Sequence, residues 1–381
     1  MRLGIACYPT YGGSGAVATE LGVQLAARGH EVHFISYAQP FRLTAFHDRV
    51  FFHEVEVPHY PLFEYPPYSL ALAVQVGEVA RRHDLEILHA HYAIPHATAA
   101  WLAEQMLRGE GRALKVVTTL HGTDITLVGQ DPSFWSITKF SLEMSDGLTA
   151  VSDYLREETY RAFRCRSVPI EVIPNFIDPG IFDRDRYDCR RASLAPGGEK
   201  IVMHISNFRK VKRIGDVVRI FAALRGRVPA RLVMVGDGPE RALADEEVAR
   251  LGLEDHVLFL GKIESVAELL ACADLFLLPS QQESFGLVAL EAMASGVPVV
   301  GSDGSGLTEV VEDGETGFLR PVGAVDDMAE AAVRILGDPR MHARMAAAGR
   351  ERAAARFHVD RVVPQYEAFY ARVLVGQGRG A

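Results

Sequence analysis

Two glutamates eight residues apart, Glu283 and Glu291, lie where a buried strand gives way to a helix. The strand is predicted over Leu275–Leu278, and Gly286 marks the break before the helix. Carboxylates accept hydrogen bonds from vicinal hydroxyls, as in ribose or a hexose, and the N–H groups near Phe285–Leu287 can meet a phosphate. The spacing alone also fits two solvated helix charges. The strand, loop and helix around it favour a site for sugar hydroxyls and phosphate.

A run of basic residues follows the first strand predicted in the second half of the chain. Its sequence is Ser206-Asn207-Phe208-Arg209-Lys210-Val211-Lys212-Arg213, with four cations in its last five positions. The whole chain carries a net charge of −9, so this run is a local exception. Cations fixed at a strand end can neutralise a diphosphate that gains charge as it leaves. The alternative is a solvated basic turn.

A glycine-rich run, Tyr11-Gly12-Gly13-Ser14-Gly15, lies directly after the first predicted strand and before the first helix. Glycines allow a tight turn and a close approach by a ligand, and the start of a helix favours an anion. The run lacks the full GxGxxG pattern, so it does not indicate a dinucleotide site. An ordinary turn between strand and helix is the other interpretation.

Histidines are concentrated in two segments at predicted strand ends, His89-Ala90-His91-Tyr92 and Thr118-Thr119-Leu120-His121-Gly122-Thr123-Asp124. Together with His96 they raise the question of a metal site, but no closed set of ligands is evident. We therefore predict no metal here and favour a polar pocket for an acceptor. Asp183-Arg184-Asp185 has the DxD form of metal-dependent sugar transferases, yet it lies in a charged connector and is predicted to be solvated surface.

Short apolar runs alternate with amphipathic stretches along the whole chain, which predicts an α/β fold with parallel sheets covered on both faces. The rhythm starts again after Val172–Asp178, so we predict two Rossmann-like, doubly wound domains that face each other. Residues 1–170 would form the acceptor domain, 171–356 the nucleotide-sugar domain, and a last helix over about 357–381 would pack back on the first. The predicted strands are Leu3–Cys7, Glu31–Ser36, Ile87–Ala90, Val116–Leu120, Gly147–Val151, Ile201–Ile205, Arg231–Val235, Val257–Leu260, Leu275–Leu278 and Val299–Gly301.

Length and composition narrow the class of protein. A chain of 381 residues exceeds the usual size of one domain. Its acidic balance argues against a chain that mainly binds nucleic acid. The four cysteines form no CxxC pair, which favours reduced, buried thiols in a cytoplasmic protein. The apolar run near the N-terminus is too short for a signal peptide, and no run is long enough to span a membrane.

Together, these segments resemble the retaining glycosyltransferases of the GT-B type, and more narrowly the family-four branch with its E-x7-E signature. The resemblance covers nearly the whole chain. It is closest to members that join N-acetylglucosamine to L-malate in bacillithiol biosynthesis. The segments that carry it are Cys7 through Gly15, Pro40-Phe41-Arg42-Leu43, Tyr65-Pro66-Pro67-Tyr68, His89-Ala90-His91-Tyr92-Ala93, Thr118–Thr126 and Ser206–Arg213.

The resemblance implies substrates and roles. UDP-N-acetylglucosamine would be the donor and L-malate the acceptor, with no metal or cofactor and with a homo-oligomer as a family-level expectation. Glu291 would hold the ribose hydroxyls and Glu283 those of the sugar, while Ser284–Leu287 lie against sugar and phosphates. The predicted catalytic residues are His121, Glu283, Arg209 and Lys212. The other donor ligands are Gly13, Ser14, Gly15, Asn207, Phe285 and Gly286.

One position departs from the family pattern, which places an arginine five residues before the lysine. That position is Asn207 here, so Arg209 is the predicted substitute. The carboxylates of malate need donors, for which Arg42 is the best cation. The predicted hydroxyl donors to the acceptor are Ser14, Tyr92, Thr119 and Thr123.

Other functions stay open at this level. The acceptor could be a lipid, an inositol phosphate or a glycan, and Tyr60–Tyr68 could then form an apolar face. A nucleotide-sugar epimerase and a non-catalytic nucleotide-sugar sensor are further alternatives. For the transferase we favour front-side substitution, because no carboxylate can be placed for a double displacement.

Overall fold

The computed structural model describes residues 1–10, 12–57 and 64–376. The chain divides into two compact units. Unit 1 comprises Met1–Asn175 and Val359–Ala381, and unit 2 comprises Phe176–His358. Each unit contains one sheet in which all paired strands are parallel.

Unit 1 is built on a seven-stranded sheet with the order β3-β2-β1-β4-β5-β6-β7. The strands are β1 (Arg2–Ala6), β2 (Glu31–Ser36), β3 (Val50–Glu54), β4 (Ile87–His91), β5 (Lys115–Leu120), β6 (Gly147–Ala150) and β7 (Ile170–Val172). The helices are α1 (Gly13–Ala27), α2 (Tyr68–His83), α3 (Thr98–Gly109), α4 (Thr123–Thr126), α5 (Trp135–Met144) and α6 (Asp153–Phe163).

Unit 2 has a six-stranded sheet with the order β10-β9-β8-β11-β12-β13. The strands are β8 (Lys200–Ile205), β9 (Ala230–Val235), β10 (Val257–Gly261), β11 (Leu275–Leu278), β12 (Val299–Ser302) and β13 (Gly317–Arg320). The helices are α7 (Arg191–Leu194), α8 (Ile214–Arg225), α9 (Arg241–Arg250), α10 (Ala267–Cys272), α11 (Leu287–Ala294), α12 (Leu307–Val310), α13 (Val325–Gly337) and α14 (Pro339–Phe357).

The last helix, α15 (Val359–Leu374), belongs to unit 1. Its apolar stripe is buried, including Tyr366 and Tyr370, which are both 0% exposed. The Tyr370 hydroxyl forms a hydrogen bond with His89 of β4 at 2.8 Å, and Asp360 pairs with Arg28 at 2.6 Å. The helix is therefore held by aromatic packing and by polar contacts with the first half of the chain.

In each sheet the strand order reverses once, between β1 and β4 in unit 1 and between β8 and β11 in unit 2. Ligands of doubly wound sheets bind outside the carboxyl ends of the strands at such a reversal. The glycine run follows β1 and the His-x-His segment ends β4, whereas the basic run follows β8 and Glu283 follows β11. These four motifs thus lie at one of the two reversals or beside it.

The ten predicted strands are all present, but β3, β7 and β13 were not predicted. β3 and β13 lie at the edges of their sheets, and β7 has only three residues, so none shows a long buried run. The first helix begins at Gly13 rather than at Ala16. Gly13, Ser14 and Gly15 therefore form the first turn of α1. The prediction had assigned them to the turn before the helix.

The prediction of reduced cysteines is wrong for two of the four. Cys189 and Cys272 form a disulfide with Cα atoms 5.4 Å apart, whereas Cys7 and Cys165 are buried free thiols. The pair is 83 residues apart in sequence, which hides it from spacing rules. It forms because the connector after Asp183 folds against the end of α10, where Arg184 donates to two backbone carbonyls.

The DxD carboxylates of Asp183 and Asp185 are exposed on this connector, as predicted. Within the described residues, no helix is long and apolar enough to cross a membrane.

Candidate active site

An ion pair joins the two sides of the strand reversal in unit 2. The Lys212 ammonium donates to the Glu283 carboxylate with Nζ and Oε1 2.6 Å apart. Lys212 comes from the loop after β8, and Glu283 comes from the loop after β11. Both side chains are mostly buried, with 19% and 9% of their surface exposed. The pair places one cation and one carboxylate side by side at the predicted ligand edge of the sheet.

Backbone hydrogen bonds fix the two loops that carry this pair. Residues Lys210–Lys212 form one turn of 3-10 helix, and the Gln281 N–H donates to the Val211 carbonyl at 2.8 Å. On the other side, the Gly306 N–H donates to the Glu283 carbonyl at 2.8 Å. The position of the pair is therefore set by the fold and not by the two flexible side chains alone.

The helix that follows Glu283 starts at a glycine that needs its backbone conformation. Gly286 has φ +92°, and a Cβ there would lie 2.7 Å from Leu307. Leu287 opens α11 directly afterwards, so the N-terminus of this helix follows the loop that carries Glu283. Phe285 anchors the loop, because it is buried and packs edge-to-face on Phe357 with ring centroids 5.5 Å apart.

The structure excludes the alternative of two solvated glutamates. Glu283 is 8% exposed and Glu291 is 2% exposed. A buried carboxylate is costly unless it has polar partners or a ligand to bind. Glu291 lies on the second turn of α11, so both glutamates of the E-x7-E pattern are buried around the start of one helix.

The rest of the basic run divides into exposed and structural side chains. Arg213 and Arg219 both pair with Asp216, which is 2% exposed, so Arg213 holds the start of α8 in place. Arg209 and Lys210 are exposed, and neither forms an ion pair among the residues that the structure describes. Arg209 is therefore available to an anion. Its role at the diphosphate stays a prediction.

Three polar atoms near the strand ends of unit 2 are buried without a partner in the described chain. They are Asn207 Oδ1, Ser280 Oγ and Ser302 Oγ. Asn207 and Ser280 lie just after β8 and β11, and Ser302 is the last residue of β12. These three strands are adjacent in the sheet. Buried polar groups normally form hydrogen bonds, so this edge is built to receive polar atoms of a ligand. Ser280 and Ser302 were missed in the sequence, where a lone serine after a strand carries no signal.

In unit 1, the glycine run is packed against the loop that follows β1. A Cβ on Gly15 would lie 2.8 Å from the Tyr8 carbonyl oxygen and 2.9 Å from that of Thr10. Only glycine fits there without movement of the backbone. Tyr11 lies outside the described residues, so its predicted part in this run has no structural outcome.

Gly15→Ala is expected to lower the free energy of unfolding by about 1–3 kcal/mol, because the added methyl group meets backbone atoms. Gly12→Ala is the matched control, since a Cβ at Gly12 would have no neighbour within 4 Å. Thermal and urea unfolding of the two variants measure the difference. Equal losses in both variants would contradict the packing explanation.

Hydroxyl groups from three elements meet at the strand reversal of unit 1. The Tyr92 hydroxyl lies within hydrogen-bonding reach of the side chains of Ser14 and Thr123. Burial raises the pKa of Tyr92 to about 12, so it stays a neutral donor at physiological pH. Three of the four predicted hydroxyl donors to the acceptor are therefore neighbours. Thr119 is separate, because its hydroxyl lies in a buried network with His89 at 2.6 Å and Thr149 at 2.6 Å.

A buried carboxylate supports this cluster. Asp124 accepts hydrogen bonds from the backbone N–H groups of Ala93 and Gly122, both at 3.0 Å. Burial nevertheless raises its pKa to about 6. Asp124 thus ties the segment after β4 to the segment after β5 and fixes the distance between Tyr92 and Thr123.

Four histidines line the same region, and all are held neutral by burial. His121 Nε2 and His91 Nδ1 are 2.8 Å apart, and their rings are stacked. Burial lowers the pKa of His121 and His89 to about 3 and that of His96 to about 4. A neutral His121 can form hydrogen bonds with a sugar hydroxyl but does not supply a positive charge.

Acidification is expected to destabilise unit 1 below pH 6.5. A histidine whose folded pKa is lowered binds fewer protons in the folded state than in the unfolded state, so stability is lost as pH falls below the unfolded value. His89 and His96 would each lower the free energy of unfolding by about 2 kcal/mol at pH 5. Asp124 opposes this trend, because its raised pKa favours the folded state as its charge is removed, but it is one group against several.

Tryptophan fluorescence measures this effect in unit 1 alone, since Trp101 and Trp135 are the two tryptophans of the chain and both belong to that unit. Urea unfolding at pH 7, 6 and 5 should give a steadily falling free energy. A free energy that is constant from pH 7 to pH 5 would contradict the prediction.

The predicted acceptor cation, Arg42, lies in a loop joined to the glycine run. The Phe41 N–H donates to the Pro9 carbonyl at 3.1 Å, and Arg42 itself has the left-handed φ of 72°. Its guanidinium is 5.6 Å from the centre of the Phe41 ring. Residues 58–63 lie outside the described residues, and they include the first four positions of the predicted apolar face Tyr60–Tyr68.

Both units match known sequence families. Residues 11–180 match the family described as Glycosyltransferase Family 4, and residues 185–352 match the one described as Glycosyl transferases group 1. The N-acetyl-alpha-D-glucosaminyl L-malate synthase of Bacillus anthracis is 50% identical over 98% of this chain and 97% of that protein. The chain belongs to glycosyltransferase family 4.

More distant similarities agree with this family 4 assignment. The D-inositol 3-phosphate glycosyltransferase of Kribbella flavida is 30% identical over 75% of this chain and 71% of that protein. The structure of sucrose-phosphate synthase from Thermosynechococcus elongatus superposes with a TM-score of 0.80 at 23% identity, covering 98% and 99% of the two chains. This confirms the predicted GT-B architecture. The roles assigned to Glu283 and Glu291 of the E-x7-E pattern stay predictions.

Proposed function

We propose that this family 4 glycosyltransferase transfers N-acetylglucosamine from UDP-N-acetylglucosamine to L-malate, with retention at the anomeric carbon. The product would be N-acetyl-α-D-glucosaminyl L-malate, the first intermediate of bacillithiol biosynthesis. The observation that carries the donor assignment is the buried Lys212–Glu283 pair across the strand reversal of unit 2. The malate assignment is supported by the 50% identity with a protein named for that reaction.

The donor half of the site follows from charge and hydrogen bonding. Glu291 accepts hydrogen bonds from the ribose hydroxyls, and Glu283 accepts them from the sugar. Lys212 and Arg209 neutralise the diphosphate, whose charge grows as the bond to the sugar breaks. Lys212 contacts Glu283 already, so the sugar-binding carboxylate and the phosphate-binding cation are held in one fixed geometry.

The acceptor half uses the cluster in unit 1. Arg42 pairs with one malate carboxylate, and the hydroxyls of Ser14, Tyr92 and Thr123 donate hydrogen bonds to the other. His121, which is neutral, forms a hydrogen bond with the donor sugar. Thr119 is not proposed as a direct ligand, because its hydroxyl forms hydrogen bonds with His89 and Thr149.

The chemical step is a front-side substitution. The malate hydroxyl oxygen forms the new bond to the anomeric carbon while the bond from that carbon to the β-phosphate oxygen breaks. The leaving β-phosphate accepts the proton from the malate hydroxyl, so no side-chain nucleophile is needed. The protein contributes positioning and stabilisation of the diphosphate charge. A homo-oligomer stays a prediction.

The deciding experiment measures UDP release from UDP-N-acetylglucosamine with a panel of acceptors. The panel contains L-malate, D-malate, succinate, inositol 3-phosphate and buffer alone. Rapid release with L-malate alone supports the proposal. UDP release with inositol 3-phosphate and not with L-malate would show that the acceptor is an inositol phosphate. Epimerised sugar in the sample with buffer alone would indicate an epimerase. Binding of UDP-N-acetylglucosamine without turnover would indicate a sensor.

Arg42→Ala is expected to raise the KM for malate about 10-fold, the lower end of the range for a hydrogen bond to a charged group, because Arg42 is only half-buried. The KM for UDP-N-acetylglucosamine should stay unchanged. Arg49→Ala is the matched control, since Arg49 is an exposed arginine in the next turn of the same connection. Unchanged malate kinetics in the Arg42 variant would remove this residue from the acceptor site.

A further inference from the structure

Three histidines from separate elements converge beside the edge strand β3 of the sheet in unit 1. They are His33 on β2, His53 on the edge strand β3, and His83 at the last position of α2. Each presents one ring nitrogen, and these nitrogens lie within 4.8 Å of one another. This is the only such group of three or more histidine, cysteine or carboxylate side chains among the residues that the structure describes.

A carboxylate sets the orientation of the central histidine. His33 Nε2 is 3.0 Å from Glu31 Oε1, and its other nitrogen, Nδ1, is 2.9 Å from His53 Nε2. An ionised carboxylate only accepts hydrogen bonds, so Nε2 of His33 must carry the proton. The lone pair of His33 is therefore on Nδ1 and points into the group. Metal-binding histidines are commonly oriented by such a carboxylate on the other ring nitrogen.

The three rings are also packed as one unit. The ring of His83 lies 4.3 Å from that of His33 and 5.3 Å from that of His53, and Phe51 stacks on His33 at 4.9 Å. His33 is fully buried, whereas His53 and His83 are half-buried. An ion thus has a route from solvent, and water can occupy a further coordination position.

Imidazole binds a metal ion through a nitrogen lone pair, and the three side chains meet with one ring nitrogen each inside the group. Arg2 and Arg82 are the nearby cations.

We propose that His33, His53 and His83 bind one Zn²⁺ ion that fastens the edge strand β3 and the end of α2 to the sheet. Three imidazoles favour zinc over the oxygen-preferring ions Mg²⁺ and Ca²⁺. With Zn–N distances of 2.0–2.1 Å, tetrahedral geometry needs ligand nitrogens about 3.3 Å apart. His33 and His53 already approach within that distance, and His83 reaches it by rotation of its side chain.

The proposed role is structural and independent of sugar transfer. The group lies at the β2–β3 edge of the sheet, whereas the strand reversal lies between β1 and β4. The catalytic motifs lie at the carboxyl ends of the same sheet. The three histidines are separated by 20 and 30 positions in the chain, and no short motif joins them, so the sequence did not predict this site.

Zinc titration of the full chain, without a histidine tag and after treatment with a chelator, tests the proposal. Calorimetry should show one site per chain. Zinc at about 100 times its dissociation constant should raise Tm by about 5–10 °C. Co²⁺ in place of zinc should give the visible absorption of a four-coordinate ion. Chelation should lower Tm and leave the rate of UDP release unchanged at temperatures where the apoprotein is folded.

Variants assign the site to its residues. His53→Gln and His83→Gln should each abolish stoichiometric zinc binding, and Glu31→Gln should weaken it about 10–100-fold. His256→Gln in unit 2 is the matched control and should bind zinc like the wild-type chain. Circular dichroism checks that the variants are folded. The absence of a site in the wild-type chain, or zinc binding that survives both His53→Gln and His83→Gln, would overturn the proposal.

Discussion

Lys212→Ala is expected to lower kcat for UDP release about 10²–10³-fold, as the loss of one preorganised donor to a developing charge does in other enzymes. Lys212 is the cation that the fold holds at the reversal between β8 and β11, and its ammonium is 2.6 Å from Glu283. The diphosphate gains charge as the sugar leaves, so the contact strengthens in the transition state. The loss should therefore appear in kcat more than in the affinity for ground-state substrate.

The same substitution has a structural cost that must be separated from catalysis. Removal of Lys212 leaves the mostly buried carboxylate of Glu283 without its partner, and an uncompensated buried charge destabilises the fold. The double variant Lys212→Met with Glu283→Gln removes both charges and should recover stability without recovering turnover. Lys210→Ala, an exposed lysine in the same turn, is the matched control and should keep near wild-type kcat.

Steady-state kinetics, UDP titration by calorimetry and thermal unfolding together separate the two effects. Near-normal turnover in a folded Lys212→Ala chain would remove this cation from the mechanism. If Lys212→Ala loses turnover and the double variant regains it fully, Lys212 has a structural role only.

Glu291→Gln is expected to raise the KM for UDP-N-acetylglucosamine about 10²-fold. Hydrogen bonds to a charged acceptor are stronger than those to a neutral one, and two ribose hydroxyls would each lose about 1–1.5 kcal/mol. The substitution keeps the size of a side chain that is 2% exposed, so it creates no cavity in α11. The effect should therefore fall on binding of the nucleotide and hardly on kcat.

The ribose supplies a second measurement for this prediction. Wild-type protein should bind UDP more tightly than 2′-deoxy-UDP, and Glu291→Gln should reduce that difference. Glu246→Gln on the exposed face of α9 is the control for loss of one charge and should leave both affinities unchanged. Equal discrimination between the two nucleotides in wild type and in Glu291→Gln would place the ribose elsewhere.

Several features of the donor edge were predictable, because they depend on neighbours in the sequence. The strand β11 is a continuous apolar run of the kind that buried parallel strands need, β8 is mostly apolar, and each is followed by its polar motif. A glycine with positive φ before α11 was signalled by Gly286 itself. The burial of Glu283 and Glu291 was not predictable, because spacing fits a solvated pair equally well.

Other features depend on contacts between distant positions. The disulfide between Cys189 and Cys272 contradicts the predicted thiols, since no spacing rule joins residues 83 positions apart. The edge strands β3 and β13 were missed because their residues are only partly buried, which removes the apolar signal. Thr119 was predicted as an acceptor ligand from its place in a motif, whereas strand alternation directs its hydroxyl into the network with His89.

The residues alone predicted the α/β class, ten of the strands and the family, because local periodicity and short motifs encode all of these. The strand order, with its reversal in each sheet, came from the folded structure. Only the tertiary structure decided that Lys212 meets Glu283 and that Tyr92 meets Ser14 and Thr123. It also brought His33, His53 and His83 together. Such pairings depend on which side chains the folded sheets bring within a few ångströms, and linear spacing carries no record of that distance.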